Sequence, residues 1–339
     1  MAGKRVLITG VSGFIAGHTA LEFLKAGYHV RGTVRSASKG DAIAAVLQKH
    51  GDISRLEFAE ADLGSDAGWE QAVKGCDCVA HLASPFPLAQ PKDESELIRP
   101  AVEGTLRVLK AAKAAGVKRF VQTSSSVAVV HGHPHSKTTF TEDDWSNLSA
   151  PGITAYQKSK TLAEKAGREF MAGHGGKMHY ATVNPGLVWG PALDRDIGSS
   201  VEVVRMFLAG KYPGAPRLKL LVVDVRDIAR MHRLAMETGE PSGGRYIGVC
   251  GDIWMIEMAR MLREDFGAKA RKAPKFELPD FMIKAIGLID PAAKTVIPDL
   301  GLDWKMHNDR TRKALGIEFI SPREALKASA ESLIEHGLA

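Results

Sequence analysis

Short apolar runs alternate with amphipathic stretches along the first half of the chain. The runs are rich in β-branched residues and are bounded by glycine or polar residues, which is typical of buried strands. The stretches between them repeat apolar positions three and four residues apart, which is typical of helices. Strands are predicted at residues 5–9, 29–34, 56–61, 78–83, 119–123 and 178–183, and helices at 14–26, 69–74, 94–115 and 155–173.

This regular alternation of strand and helix predicts an α/β fold with a doubly wound parallel sheet of the Rossmann type, because strand–helix–strand crossovers are right-handed. After residue 186 the rhythm loosens, although 218–223, 226–236 and 245–249 are predicted to return to the sheet. We predict one domain from residues 1–186 plus about 217–250, and a smaller C-terminal lobe from 187–216 plus about 251–339. Ligands of such sheets bind at the carboxyl ends of the strands. The lobe would therefore cover that edge and hold the substrate.

The charge of the chain is mildly basic and evenly spread. The 339 residues carry a formal net charge of +6, with lysine and arginine interleaved with acidic residues. Without a block of like charge, a solvated basic surface is favoured over nucleic-acid binding. No run reaches the ~18 apolar residues that a membrane span needs. We expect neither a nucleic-acid partner nor a membrane.

Cysteine and histidine positions favour a reducing compartment and argue against a metal site. The three cysteines are odd in number and form no CxxC pair, which fits a cytoplasmic protein. His131, His133 and His135 lie close together, but no cysteine or acidic residue has ligand-like spacing to them. We expect a polar loop there and no bound metal.

A glycine-rich turn joins the first strand to the first helix. Gly10 permits a tight turn, and Gly13 lets the backbone approach a pyrophosphate, which the free N–H groups of the helix N-terminus bind. The third small position holds Ala16, where a methyl group is tolerated. This strand–turn–helix context favours a dinucleotide site over an ordinary glycine-containing turn. Cofactor contacts are predicted from Gly10, Ser12, Gly13, Phe14 and Ile15.

The end of the second strand indicates which dinucleotide binds. An NAD site carries an acidic residue there, which accepts a hydrogen bond from the ribose 2′-hydroxyl. This chain has Arg35, followed by Lys39, and a guanidinium binds a 2′-phosphate that a carboxylate would repel. We predict NADP(H) as the cofactor; the alternative is that Arg35 is an ordinary surface charge. Asp62 and Leu63, at the end of the third strand, are predicted to meet the adenine.

Tyr156 and Lys160 are four residues apart at the start of a predicted helix and therefore share one face. A neighbouring ammonium favours a phenolate and would lower the pKa of the tyrosine from its usual value near ~10. This makes the pair a candidate proton donor and acceptor. A hydroxyl partner comes from the end of the fifth strand, where Ser124 and Ser125 follow an apolar run. Tyr-x-x-x-Lys alone is weak evidence, since chance helices supply it often.

Taken together, these motifs resemble the extended short-chain dehydrogenase/reductase family in order and spacing. The motifs are Thr9-Gly10-x-x-Gly13-x-x-Ala16, Asp62-Leu63, His81-Leu82-Ala83-Ser84, Thr123-Ser124-Ser125, Tyr156-x-x-x-Lys160 and Asn184-Pro185-Gly186. Within the family the chain looks most like the dihydroflavonol reductases, cinnamoyl-CoA reductases and microbial aldehyde/ketone reductases. The departures disfavour both plant substrates. Val130 stands where dihydroflavonol reductases carry asparagine, and residues 155–160 read Ala-Tyr-Gln-Lys-Ser-Lys, unlike the run in cinnamoyl-CoA reductases.

The resemblance implies a mechanism and further site residues. NADPH would deliver hydride to a carbonyl carbon, Tyr156 would protonate the alkoxide, Lys160 would lower the phenol pKa and bind the nicotinamide ribose, and Ser125, rather than Ser124, would hold the carbonyl oxygen. Further cofactor contacts are implied for Leu82, Ala83, Ser84, Thr123, Tyr156, Lys160, Pro185, Gly186 and Val188. Substrate contacts are predicted for Ser84, Phe86, Ser125, Tyr156 and Trp189, as for a hydrophobic or aromatic carbonyl compound; the alternative for Ser84, Phe86 and Trp189 is ordinary core or loop packing.

Two other functions fit the same motifs. A sugar-nucleotide epimerase or dehydratase uses the same catalytic residues, but it usually carries an acidic residue where this chain has Arg35. A non-catalytic NADP-binding protein tends to lose the tyrosine or the lysine. The resemblance also implies a homodimer, in which helices 101–115 and 155–173 pair across a two-fold axis as a four-helix bundle.

Overall fold

The structure is a computed structural model and describes residues 3–85 and 93–339. The strands are β1 Arg5–Thr9, β2 His29–Val34, β3 Leu56–Glu60, β4 Cys78–His81, β5 Arg119–Thr123, β6 Thr139–Phe140, β7 His179–Pro185, β8 Leu187–Trp189, β9 Ala215–Pro216, β10 Lys219–Asp224, β11 Gly244–Gly248, β12 Gly251–Trp254, β13 Glu277–Leu278 and β14 Lys305–Met306. The helices are α1 Phe14–Lys25, α2 Ala37–Leu47, α3 Trp69–Val73, α4 Ser95–Ala114, α5 Val127–Val130, α6 Ala155–His174, α7 Gly198–Leu208, α8 Val225–Glu237, α9 Met255–Phe266, α10 Asp280–Ile286, α11 Pro291–Val296, α12 Asp309–Leu315 and α13 Pro322–Glu335.

Seven parallel strands form the central sheet, in the order β3-β2-β1-β4-β5-β7-β11. β1 lies in the middle, where Val6 pairs with Val30 on one side and with Cys78 on the other. The chain winds outwards from β1 in both directions, so the order reverses between β1 and β4. This is the doubly wound Rossmann-type sheet that the alternation of strands and helices predicts.

Apolar cores lie on both faces of the central sheet. One core packs α1 and α8 against the sheet and includes Phe23 and Ile228, both fully buried. The core on the other face packs α3 and α4, with Val108 and Phe120 at 0% exposure. Because both faces are covered, the inner strands are apolar on both sides, which explains their nearly continuous apolar sequences.

A third core belongs to the C-terminal part of the chain, where α7, α9 and α13 pack around Phe207 and Leu262. It rests on a separate three-stranded sheet in which β10 pairs parallel with β8 and antiparallel with β12. The prediction that residues 218–223 return to the central sheet was therefore wrong. An apolar run identifies a strand but not its partner, and β11 takes the free edge beside β7. The division into two domains stays a prediction.

Two other predicted segments do lie with the central sheet. α8 packs on the same face as α1, and β11 extends the sheet beyond β7. β10 connects the two parts of the molecule, since Val222 belongs to the lobe core and Val223 to the core under the central sheet. Within the described residues, no helix is both long enough and apolar enough to cross a membrane.

Candidate active site

A groove of about 690 Å³ runs along the carboxyl ends of β1 to β4. Many of the predicted cofactor contacts line this one groove: Gly10, Ser12, Gly13, Arg35, Lys39, Asp62, Leu63, Leu82, Ala83 and Ser84. The parallel sheet brings these residues together from four segments that are far apart in sequence.

The glycine-rich turn has the backbone geometry that its sequence predicts. Gly10 has a φ of +66°, and a Cβ there would lie 3.0 Å from the Cβ of Ala83, closer than ordinary van der Waals contact, so the turn needs glycine here. α1 then begins at Phe14 with Gly13 as its N-cap and without a side-chain cap. The first N–H groups of α1 are therefore available to an anion. A pyrophosphate fits this cradle.

Two threonine hydroxyls hold the groove together, and the sequence analysis missed both. The Thr9 hydroxyl accepts hydrogen bonds from the backbone N–H groups of Leu82 and Ala83, each at 3.0 Å, and donates to His81 Nδ1 at 2.9 Å. The Thr33 hydroxyl accepts from the N–H of Gly10 at 2.8 Å. The only sequence signal for Thr9 is a hydroxyl residue at the end of a buried strand.

Basic groups stand at the outer end of the groove. Arg35 follows β2, and Lys39 lies one turn into α2; both side chains are exposed. Asp62 lies across the groove, where its carboxylate accepts from the N–H of Gly64 at 2.7 Å. The positively charged side chains of Arg35 and Lys39 therefore line this end of the groove, where they could bind a 2′-phosphate.

The predicted catalytic residues come together at the start of α6. Thr154 and Gln157 form a capping box, which fixes the first turn and makes the helix begin at Ala155. Lys160 Nζ lies 5.8 Å from the centre of the Tyr156 ring. The Tyr156 hydroxyl is hydrogen-bonded to the side chain of Ser125.

The hydroxyls of Ser124 and Ser125 point to different partners. Ser124 is buried at 4% exposure, and its hydroxyl donates to the carboxylate of Glu164 at 2.5 Å. Ser125 is half-buried and reaches Tyr156. The structure therefore leaves Ser125 as the hydroxyl that shares a site with the phenol.

Burial controls the charges of the catalytic pair. Desolvation raises the pKa of Tyr156, and the hydrogen bond from Ser125 works against this rise. Desolvation also lowers the pKa of Lys160 to about 8. Desolvation therefore sets the net direction of the Tyr156 pKa, and the expectation that Lys160 lowers this pKa stays a prediction. His81 is kept neutral beside this site, since burial first, and the Lys160 charge second, lower its pKa to about 3.

Several other predicted contacts lie deeper in the fold. Pro185 and Val188 are buried, and the Thr123 hydroxyl contacts His232 Nε2 at 2.7 Å. A Cβ on Gly186 would lie 2.3 Å from the backbone oxygen of Leu221, so this position needs glycine for packing. The remaining predicted contacts Phe14 and Ile15, in the first turn of α1, pack partly against the sheet core.

Of two predicted substrate contacts, one does not reach an open cavity that the structure describes, and the other lies outside the described part of the chain. Trp189 is fully buried in the lobe core beside Val201 and Val204, so it does not reach the cleft in this conformation, and we no longer place it in the substrate site. An aromatic residue after a strand does not show which side of the chain its ring packs on. Phe86 lies outside the described residues.

Comparisons with known proteins agree with this geometry. Residues 6–248 match the model of the NAD dependent epimerase/dehydratase family, which corresponds to the extended short-chain dehydrogenase/reductases. The chain belongs to this family. Its Rossmann-type fold matches that of solved reductase structures.

Individual members of the family are similar over nearly the whole chain. The ketoreductase azaE of Aspergillus niger is 31% identical, over 98% of this chain and 98% of its own length. Cinnamoyl-CoA reductase 1 of Arabidopsis thaliana is 33% identical, over 99% and 91% of the two chains. The yeast methylglyoxal/isovaleraldehyde reductase Gre2, solved with NADPH, superposes with a TM-score of 0.81 at 26% identity, over 99% of this chain and 100% of that one.

The burial of Lys160 gives a testable pH dependence. Below pH 8 the folded protein holds a half-buried and desolvated ammonium, which reduces its stability. Between pH 8 and the ordinary value of 10.5 the unfolded chain binds more protons than the folded one, so the free energy of unfolding should rise with pH. Lys160→Met removes the desolvated ammonium and should raise the free energy of unfolding at pH 7 by up to about 3 kcal/mol. The variant without cofactor should therefore be more stable than the wild type at pH 7, with an advantage that shrinks as pH rises.

Urea unfolding at pH 7, 8, 9 and 10 measures this difference. Lys165→Met, which removes an exposed lysine from the same helix, is the control. The same pH dependence in both variants would contradict the prediction.

Proposed function

We propose that this family member is an NADPH-dependent reductase that transfers hydride to an aldehyde or ketone and uses Tyr156 as the proton donor. It is an NADP-dependent oxidoreductase, and NADP(H) is its cofactor. The observation that carries the proposal is the meeting of Ser125, Tyr156 and Lys160 at the strand ends beside the groove. The reductase activities named for azaE and Gre2 support it.

The groove residues fit each part of the cofactor. We assign the pyrophosphate to the turn from Gly10 to Gly13, the 2′-phosphate to Arg35 and Lys39, and the adenine to Asp62 and Leu63. We assign the nicotinamide half of the cofactor to the contacts that the family resemblance implies. These are Leu82, Ala83, Ser84, Thr123, Tyr156, Lys160, Pro185, Gly186 and Val188. The bound cofactor supplies the hydride.

The protein's own residues manage the oxygen and the proton. Ser125 donates a hydrogen bond to the substrate oxygen and stabilises its growing negative charge. Tyr156, kept protonated by its surroundings, donates its proton to the same oxygen. Lys160 then stabilises the phenolate, because its charge lies one helical turn from the ring. Besides Ser125 and Tyr156, we place Ser84, which lines the groove, beside the substrate.

A sugar-nucleotide epimerase or dehydratase is the competing function within this family. The exposed Arg35 at the end of β2 argues against it, because such enzymes carry an acidic residue there and retain NAD. Extraction of the purified protein distinguishes the two functions. Tightly bound NAD would support the epimerase, whereas exchangeable NADP(H) would support the reductase.

Tyr156→Phe tests the reaction. The wild-type protein should consume NADPH with members of a panel of aromatic and aliphatic aldehydes and ketones. The variant should lose about 10²- to 10⁴-fold in kcat, because only the proton donor is gone, and should bind NADPH with unchanged affinity. Tyr28→Phe is the matched control, because the Tyr28 hydroxyl bonds Glu237 at 2.8 Å on the opposite face of the sheet. Turnover of no carbonyl compound by a wild-type protein that binds NADPH would refute the proposal and favour a non-catalytic NADP-binding protein.

Arg35→Gln tests the preference for the phosphorylated cofactor. A charge-assisted hydrogen bond to a phosphate contributes about 1.5–3 kcal/mol, so the Kd for NADPH should rise about 10- to 100-fold. The Kd for NADH, measured on the same variant by fluorescence titration, is the internal control and should change little. An equal loss for both cofactors would remove Arg35 from the 2′-phosphate site.

We also propose a homodimer through α4 and α6. Val102, Leu106, Leu162 and Ala166 are half-buried apolar residues on these helices and form a candidate contact surface. Leu109, another apolar residue of α4, is fully buried in its own subunit and is not available to such a surface. Light scattering should give twice the monomer mass of 36.5 kDa at micromolar concentration. Leu106→Glu should convert the protein to a monomer; a monomeric wild type would contradict the proposal. A cytoplasmic location stays a prediction.

A further inference from the structure

The most highly connected buried charge of the described structure lies directly behind the catalytic residues. Glu164 is fully buried on α6, one turn beyond Lys160 and two turns beyond Tyr156. Burial works against its charge, but Arg245, Arg168 and hydrogen bonds from neighbouring side chains hold the pKa of its carboxyl below the usual value. No sequence motif given above includes this glutamate.

One carboxylate oxygen of Glu164 is bonded to the segments that carry the catalytic serine. Its Oε2 accepts from the Ser124 hydroxyl at 2.5 Å and from Asn184 Nδ2 at 2.8 Å. Asn184 Nδ2 also lies 3.3 Å from the backbone carbonyl of Ser125. Both neighbouring atoms accept hydrogen bonds, which fixes the orientation of the amide. Ser125 is therefore linked to Glu164 through the preceding side chain and through its own carbonyl.

The other carboxylate oxygen is bonded to a buried arginine. Arg245, on β11, donates from Nε to Glu164 Oε1 at 2.8 Å. Its Nη2 donates to the backbone oxygen of Ala128 at 3.1 Å, three residues after Ser125, and its guanidinium stacks 3.8 Å from the centre of the Trp145 ring. The ion pair between Glu164 and Arg245 therefore also holds Ala128, which follows Ser125 in the chain.

We propose that Glu164 is a positioning residue that fixes Ser125 relative to Tyr156 and Lys160. The phenol and the ammonium are carried by α6, whereas the serine is carried by the loop after β5. The Glu164 carboxylate joins these two elements, because it belongs to α6 and binds the serine loop at Ser124. In this proposal it acts through Ser125 rather than on the reacting atoms. This inference rests on the proposed reductase function.

Ser124→Ala is the sharpest test, because it removes one hydroxyl of the link and keeps the buried ion pair. A loss of alignment at a reacting group lowers the rate of chemistry, so we expect kcat for carbonyl reduction to fall about tenfold. The Kd for NADPH should stay unchanged. The primary isotope effect measured with NADPH deuterated at the transferred position should increase, because hydride transfer becomes more strongly rate-limiting.

Ser332→Ala is the matched control. Ser332 has a similar exposure, 5% against 4%, and its hydroxyl also makes one buried bond to another segment, from the N–H of Ala192 at 2.9 Å. It should lower the melting temperature by a similar amount and leave kcat and the isotope effect unchanged. An equal loss of kcat in both variants would show that Ser124 acts only through stability and would overturn the inference.

Ser125→Ala separates this inference from an error in the catalytic assignment. If Ser125 is catalytic and Ser124 positions it, the fold-decrease in kcat caused by Ser125→Ala should be at least ten times that caused by Ser124→Ala. The reverse order would make Ser124 the catalytic hydroxyl and refute the positioning role of Glu164. An inactive wild type would instead refute the reductase function itself, so the two failures are distinguishable.

Discussion

The parallel direction of the seven central strands is the constraint on which the rest of the structure depends. Parallel strands all end at one edge, so every loop that follows a strand opens on the same side. The glycine turn after β1, the basic segment after β2 and the loop after β4 are far apart in sequence and become neighbours for this reason. The reversal of winding between β1 and β4 opens the groove between them.

Buried polar groups then fix these loops to one another. The Thr9 hydroxyl ties the loop after β4 to the end of β1, and the Glu164 carboxylate ties the loop after β5 to α6. Each of these groups is desolvated, and an unpaired buried polar group costs about 1–3 kcal/mol. The loss of any one partner is therefore unfavourable, and this cost makes the relative positions of the loops specific. These buried hydrogen bonds limit the movement of the loops and leave the groove open for a ligand.

The proposed catalytic pair lowers the stability of the fold. Tyr156 and Lys160 are both held where desolvation disfavours their charged forms, which raises one pKa and lowers the other. Under the proposed function, the nicotinamide ribose of the bound cofactor would complete the environment of Lys160. The surrounding cores, rather than the site, supply the stability that offsets this cost.

The sequence by itself determined the first six strands of the central sheet, their parallel direction and the glycine turn, and it led to the proposal of Tyr156, Lys160 and Arg35 as site residues. Each of these depends on local periodicity or on residues within one turn of each other, which a linear pattern records directly. Only the tertiary structure decided that β10 leaves the central sheet, that Trp189 packs in the lobe core and that burial dominates the pKa of Tyr156. It also revealed Thr9, Thr33 and the link between Ser124, Glu164 and Arg245. Strand partners, burial and long-range hydrogen bonds depend on which distant segments meet in space, and no local pattern encodes that.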